Sequence, residues 1–154
     1  MEWLGEIFHH GLIVDDLASA MARVGESAGA AWTEVRAFDP LPVWTPEAER
    51  GEVRLRVAYS RDAPLRFELV ESLPGTPYDK LRAYGRSHLG IWVDELARAV
   101  EGLRTLGWEV LVAGASPERG YGSMAYLARE GAPVVELVGT ELRAFMAAWW
   151  DTRS

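Results

Sequence analysis

Residues 9–21 read HHGLIVDDLASAM, and residues 88–100 read HLGIWVDELARAV. The two stretches align without a gap and are identical at seven of thirteen positions. A second pair follows them in the same order, because Phe67–Val70 reads FELV and Val135–Val138 reads VELV. Repeated stretches in a fixed order indicate a duplicated structural unit, so the sequence predicts two copies of one module.

Each copy has the pattern of a strand, a helix and three further strands. In the first copy, Asp15 and Asp16 follow an apolar run and suit the positive start of a helix, in which Leu17, Met21 and Val24 recur at helical spacing. Runs rich in Val, Leu and aromatic residues, with turn residues between them, predict the strands that follow. The predicted strands are 6–14, 32–38, 52–59 and 65–70 in the first copy, and 87–93, 108–112, 123–128 and 134–138 in the second, whose helix covers 94–106.

The predicted fold is therefore α+β, with two βαβββ modules at about 6–72 and 86–138 in a single domain of residues 1–154. The first module is the longer one between its His and its Glu, and a loop at 39–51, which contains three prolines, accounts for the difference. Thr140 is expected to cap a last helix over about 140–151. Its apolar face is predicted to pack on the sheet or on a second subunit, and it contains Leu142, Phe145, Met146, Trp149 and Trp150.

Composition excludes several classes of function. The 154 residues include 16 Lys plus Arg against 23 Asp plus Glu, a net charge of −7, and this acidic balance without a basic cluster argues against nucleic acids and anionic membranes as partners. The absence of Cys excludes disulfides, thiolate nucleophiles and iron–sulfur clusters, so any metal would need His, Asp or Glu. The N-terminus resembles no signal peptide and no apolar run approaches the length of a membrane-spanning helix, so we expect a cytoplasmic protein without membrane spans.

Four side chains gain interest from the duplication. His9 and His88 occupy equivalent positions in the two copies, and so do Glu68 and Glu136. Because side chains alternate between the faces of a strand, both His side chains are predicted to point away from the helices, and neither Glu needs to lie beneath one. If the modules pair into one curved sheet, two imidazoles and two carboxylates can converge inside its concave face.

Such a set is a suitable first coordination shell for a divalent ion of the Ni²⁺, Co²⁺, Fe²⁺, Mn²⁺ or Zn²⁺ type. Two neutral and two anionic ligands nearly neutralise the ion and leave room for water or substrate, as a catalytic site requires. Without a cation, Glu68 and Glu136 are expected to raise each other's pKa, so that one is protonated or turned outward.

With these stretches the sequence resembles the vicinal oxygen chelate superfamily, which includes glyoxalases, bleomycin-resistance proteins and dioxygenases. The similarity covers nearly all of residues 7–138. It implies paired βαβββ modules that form an open, curved, barrel-like sheet with a metal and ligand cleft. The order His, Glu, His, Glu resembles that of glyoxalase I, and so implies His9, Glu68, His88 and Glu136 as metal ligands. Methylmalonyl-CoA epimerases are also similar, but Glu68 stands where their pattern has Gln.

The resemblance implies a divalent-metal-dependent lyase or isomerase, with Glu136 or Glu68 as the catalytic base that removes a proton next to a carbonyl. A small-molecule substrate and a homodimer are also implied. Arg66 on the face of Glu68, together with Trp92 and Tyr121, are the candidate substrate-binding residues. The alternative is a non-catalytic protein that sequesters a ligand or an antibiotic. A ring-cleaving dioxygenase is disfavoured, because its pattern has His where this chain has Glu68.

Overall fold

The computed structural model describes residues 2–62 and 64–154, and it confirms the duplicated strand–helix–three-strand pattern. The first module contains β1 (Ile7–Val14), α1 (Leu17–Ala28), β2 (Arg36–Val43), β3 (Gly51–Tyr59) and β4 (Arg66–Ser72). A short helix, α2 (Asp79–Ala83), which the sequence pattern did not indicate, leads to the second module. The remaining elements are β5 (Ser87–Val93), α3 (Leu96–Thr105), β6 (Glu109–Ala113), β7 (Met124–Ala128), β8 (Val134–Gly139) and the C-terminal helix α4 (Arg143–Trp150).

All eight strands form one mixed sheet in the order β2-β3-β4-β1-β5-β8-β7-β6. Within each module the first strand pairs in parallel with the last, β1 with β4 and β5 with β8. The modules join through β1 and β5, which are antiparallel. The two His-bearing strands therefore lie side by side in the middle of the sheet, and each is flanked by a Glu-bearing strand.

The sheet curls until its two edges meet at one point. Beyond the end of β2, Trp44 forms an antiparallel bridge with Ala113 at the end of β6, with N–H···O distances of 2.7 and 2.9 Å. Since β2 and β6 are opposite edges of the sheet, this bridge turns the sheet into an open barrel with a concave interior. The predicted curved, barrel-like architecture is confirmed.

The two long helices cover the convex side of the sheet. Leu17 of α1 packs with Leu69 of β4, and Val100 and Leu103 of α3 pack with Leu137 of β8. Asp16 begins α1 as its N-cap, because its Oδ1 accepts a hydrogen bond of 2.7 Å from the backbone N–H of Ser19. With the helices on this side, strand alternation turns His9 and His88 into the concave interior.

The predicted loop at 39–51 is wrong in its first half, because β2 continues through it to Val43. Proline has no N–H to donate, which usually interrupts a sheet, but β2 is an edge strand with no neighbour on one side. Pro42 pairs with Glu52, and Pro40 lies where the register of β2 and β3 shifts. The strand that was predicted at 32–38 begins later, at Arg36.

The C-terminal helix also differs from its prediction at the start. Residues Thr140–Leu142 form a 3₁₀ turn before α4, and the Thr140 hydroxyl donates to Asp94 at 3.0 Å instead of capping the helix. Met146 and Trp149 are buried against the concave side of the sheet. Of the two predicted positions for its apolar face, the structure shows packing on the sheet of its own chain. Among the described residues, no helix has the length and apolar character that a membrane span needs.

Candidate metal centre

The four predicted side chains meet at one point of the concave face. His9, Glu68, His88 and Glu136 are all buried, and each offers one ligand atom within 4.8 Å of the other three. All four belong to the same chain and to the four central strands, β4, β1, β5 and β8. A single chain therefore contains the complete cluster.

The strand register explains why they meet. Gly11 of β1 lies between Glu68 on one neighbouring strand and His88 on the other. Gly90 of β5 lies in the same way between His9 and Glu136. Each row across the sheet thus carries a carboxylate, a glycine and an imidazole, and the two rows are related by the duplication.

The glycines make room for the imidazole rings. A methyl group added at Gly11 would overlap the ring of His88, and one at Gly90 would overlap the ring of His9. Each ring therefore lies across the backbone of the neighbouring strand. Residues 9–11 and 88–90 both have the spacing His-x-Gly. Each of these strands therefore carries one of the two rings and also the glycine on which the other ring lies.

The spacing of the donor atoms fits a divalent ion. The Nε2 atom of His9 lies 3.3 Å from Oε2 of Glu68 and 3.0 Å from Oε2 of Glu136. The corresponding distances from Nε2 of His88 are 2.9 and 3.4 Å, and the two Nε2 atoms are 3.2 Å apart. Ligands that bind one ion with bonds of about 2.1 Å are separated by roughly 3.0 to 3.4 Å in octahedral and tetrahedral geometry.

The hydrogen bonding of the cluster is also consistent with ion binding. Oε2 of Glu136 and the Nδ1 atoms of both His residues are buried without a hydrogen-bond partner among residues 2–62 and 64–154. Oε2 of Glu136 lies close to both Nε2 atoms but accepts no aligned hydrogen bond from either. Nε2 of His88 lies within hydrogen-bond distance of Oε2 of Glu68 and Nε2 of His9, so Oε2 of Glu136 is the buried, unpartnered oxygen beside these nitrogens that a cation would satisfy.

The four groups also shift each other's protonation. Burial disfavours the charged form of His88, but the contacts with Glu136 and Glu68 outweigh burial and raise the pKa of His88 to about 9. Burial likewise acts against ionised Glu136, but the nearby imidazoles of His88 and His9 outweigh it and lower the pKa of Glu136 to about 2. The predicted rise in the pKa of Glu136 is therefore wrong, because the imidazoles next to this carboxylate outweigh its burial, and both carboxylates are buried rather than turned outward.

Tyr59 fixes the orientation of one carboxylate. Its hydroxyl donates to Oε1 of Glu68 at 2.5 Å, and both residues are buried. Tyr59 lies directly opposite Glu68 in the β3–β4 pair, and Tyr126 lies opposite Glu136 in the β7–β8 pair. Among the described residues outside the cluster, only the Tyr59 side chain donates to one of its carboxylates, so Glu68 is held while Glu136 is not.

A cavity of about 570 Å³ opens from the two carboxylates. Its walls are mostly apolar, and Phe8, Phe38, Leu55 and Trp149 are among the lining residues. Glu68 and Glu136 line it, whereas the two His residues lie behind them. The volume is in the range of sites for small molecules, so the cluster forms the closed end of a ligand-sized pocket.

The three predicted substrate-binding residues lie away from this cavity. The guanidinium of Arg66 stacks on the ring of Trp150 at 4.1 Å, and Trp92 is buried in a stack against Phe8 at 3.9 Å. The hydroxyl of Tyr121 donates to Glu101 of α3 at 2.5 Å on the convex side. Arg66 shares a strand face with Glu68, and Trp92 with His88, but neither reaches the cavity. Trp150 of α4 covers Arg66, and Phe8 covers Trp92.

Sequence reasoning missed Tyr59 and also Arg119, an exposed residue that lines the cavity. Tyr59 had a usable signal, because strands 52–59 and 65–70 are close enough in sequence to form a hairpin that pairs Tyr59 with Glu68. Arg119 had none. It ends a 3₁₀ turn, Pro117–Arg119, in a loop whose path depends on the rest of the barrel.

Comparison with known proteins agrees with the fold and the repeat. The family model described as the Glyoxalase/Bleomycin resistance protein/Dioxygenase superfamily matches residues 8–127. The chain belongs to this superfamily. The match covers both His residues, both glycines and Glu68. No curated protein sequence matches the chain.

Solved structures of the superfamily fold are similar at low identity. A methylmalonyl-CoA epimerase variant from Streptomyces coelicolor, in complex with 2-nitronate-propionyl-CoA, superposes with a TM-score of 0.56 at 16% identity over 88% of this chain and 97% of that one. The epimerase from Mycobacterium tuberculosis gives 0.53 at 16% identity over 92% and 91%. A 4-hydroxymandelate synthase mutant from Streptomyces coelicolor gives 0.52 at 17% identity over 89% of this chain and 39% of that one. At these identities the similarity shows the shared fold.

Proposed function

We propose that the protein is a divalent-metal-dependent isomerase or lyase that removes a proton from the carbon next to a carbonyl group of a small molecule. The observation that carries this proposal is the position of two imidazoles and two carboxylates, with ligand atoms within 4.8 Å of one another, at the closed end of an apolar cavity. Superfamily membership and the similarity to epimerase structures support it.

All four residues would hold the ion in this proposal, and one of them has a second role. When bound, the ion supplies a Lewis acid that stabilises negative charge on a carbonyl oxygen. Glu136 is also the catalytic base. It lines the cavity, and its Oε2 accepts no hydrogen bond from the described residues, so its carboxylate is freer to move toward a substrate than that of Glu68.

The cavity provides the buried, mostly apolar surroundings that favour this proton transfer. The carboxylates are buried beside mostly apolar walls that include Trp149, and such surroundings strengthen the electrostatic interactions of the cluster. After Glu136 accepts a proton, the carbanion centre can be reprotonated at another carbon or at the opposite face, and these are the outcomes of isomerisation and epimerisation.

Metal analysis of protein purified without chelator tests the first half of the proposal. We expect about one divalent ion per chain, and its loss in His9→Ala and Glu136→Ala. His10→Ala is the matched control, because His10 follows His9 on the same strand but its ring contacts Ser87 Oγ at 2.7 Å instead of the cluster. Ion content that is unchanged in His9→Ala, or absent from the wild type, would contradict a metal centre.

Proton exchange tests the second half. A panel of small carbonyl compounds is incubated with the metal-loaded protein in D₂O, and loss of the proton next to the carbonyl is followed by ¹H NMR. We expect faster exchange than with the free metal ion, and loss of at least a hundredfold in Glu136→Gln. Binding of these compounds, seen as a raised melting temperature, with no exchange of any of them would favour the ligand-sequestering alternative.

A further inference from the structure

The cavity has charge at its two ends and little between them. Three charged side chains line it among the described residues: Glu68 and Glu136, which are buried, and Arg119, which is exposed. Arg119 also lines a wider outer hollow, of about 920 Å³, that continues from the cavity and does not reach the carboxylates. A molecule that occupies the cavity thus has the proposed metal centre at one end and one guanidinium at the other.

Arg119 is available to bind an anion. Its side chain is exposed and forms no ion pair with any residue in 2–62 or 64–154. Lys80 and Arg104 are engaged in pairs with Glu47 and Glu101, and Arg50 lines the outer hollow but not the cavity. A guanidinium offers a planar pair of N–H groups that matches one carboxylate in a bidentate arrangement.

The outer hollow is unsuited to a polyphosphate. It is lined by two cations, Arg50 and Arg119, against three carboxylates, Glu49, Glu52 and Glu118. A coenzyme A thioester would place a diphosphate and a further phosphate outside the cavity, where a local excess of carboxylates repels them. The net charge of −7 of the whole chain acts in the same direction.

We infer that the substrate is a small apolar monocarboxylate without a phosphate group, whose carboxylate binds Arg119 while its carbonyl end faces Glu68 and Glu136. This substrate class rests on the proposed function. It distinguishes the chain from the epimerase of similar fold whose structure contains a propionyl-CoA derivative. Arg119 is thus a specificity-determining residue, since it selects for a single negative charge at the end of an apolar body.

Calorimetric titration of the metal-loaded protein tests the inference with matched probes. Phenylacetate and hexanoate are the acids, phenylacetamide and hexanamide their neutral counterparts, and phenylacetyl-CoA and hexanoyl-CoA the thioesters. We expect at least one acid to bind about tenfold more tightly than both its amide and its thioester. Arg119→Gln is expected to remove this preference by weakening the acid and leaving the amide unchanged.

Arg50→Gln is the matched control, because Arg50 lines the outer hollow but not the cavity, and it should leave the preference for the acid intact. The inference is overturned if no acid binds more tightly than its amide, if a thioester binds more tightly than its acid, or if Arg119→Gln weakens acid and amide equally. Metal content is measured on the same samples. A protein that holds its ion but shows no preference for acids refutes the substrate class alone, whereas a protein without the ion refutes the proposed function.

Discussion

At the scale of single residues, Tyr59 determines which oxygen of Glu68 faces the cluster. Its hydroxyl donates a hydrogen bond to Oε1 at 2.5 Å, so Oε2 faces the imidazoles. Burial, followed by the nearby charge of Glu68, raises the pKa of Tyr59 well above its ordinary value, so the phenol remains a neutral donor. Alternation along β4 was sufficient to predict the face of Glu68, but the partner of its second oxygen depends on the pairing of β3 with β4.

Tyr59→Phe removes this donor with little change in volume. We expect the affinity for a divalent ion to fall about tenfold, because groups that orient a metal ligand contribute on this scale. Competition with a chromophoric chelator measures the affinity. Tyr121→Phe is the matched control, since it removes a Tyr–Glu hydrogen bond of the same 2.5 Å length on the convex side of the sheet. Equal loss in both variants would show that Tyr59 acts on general stability rather than on the centre.

At the scale of elements, the site depends on the register of the four central strands. Gly11 lies between Glu68 and His88, and Gly90 between His9 and Glu136, so a shift of one residue in any pair would separate the carboxylates from the imidazoles. The duplication and the alternation within each strand predicted that these side chains share the concave face. The antiparallel joining of β1 to β5, which sets the two rows next to each other, was not readable from either copy alone.

Gly90→Ala tests this arrangement. The added methyl group overlaps the His9 ring, so the ring must turn away, and we expect the ion affinity to fall at least a hundredfold. Titration calorimetry measures the loss. Gly25→Ala in α1 is the control, because its nearest contact would be 3.4 Å, to the carbonyl oxygen of Ala30, and it should keep full affinity. If Gly90→Ala binds the ion like the wild type, the glycine is not needed for the ring position.

At the scale of the whole molecule, the buried cluster links stability to pH. In metal-free protein the pKa of His88 is raised to about 9 from 6.5, so its contribution to stability is complete below pH 6.5 and is lost as the pH rises through 9. The pKa of Glu136 is lowered from 4.5 to about 2, so its contribution is complete above pH 4.5 and is lost as the pH falls through 2. The sequence predicted that these four side chains converge, but the direction of the Glu136 pKa shift depends on the imidazole contacts that only the complete barrel fixes.

Chelator-treated protein should therefore be most stable between about pH 4.5 and 6.5. Its melting temperature is expected to fall by several degrees from pH 6.5 to 9, at roughly 3 °C for each kcal/mol of unfolding free energy. The rise in melting temperature on adding the ion should grow over the same interval, because coordination needs unprotonated imidazole. Differential scanning calorimetry measures both. His88→Gln should flatten the first trend and His10→Gln should not; a metal-free protein that gains stability from pH 6.5 to 9 would contradict this linkage.

The most direct measurement is anomalous diffraction from a crystal of the protein loaded with Ni²⁺, Co²⁺ or Zn²⁺, collected at the absorption edge of the ion. We predict one strong peak per chain, at about 2.1 Å from Nε2 of His9 and of His88 and from the carboxylates of Glu68 and Glu136. A chain without a peak at these four side chains, or with its ion bound elsewhere, would contradict the metal centre on which the proposed chemistry depends.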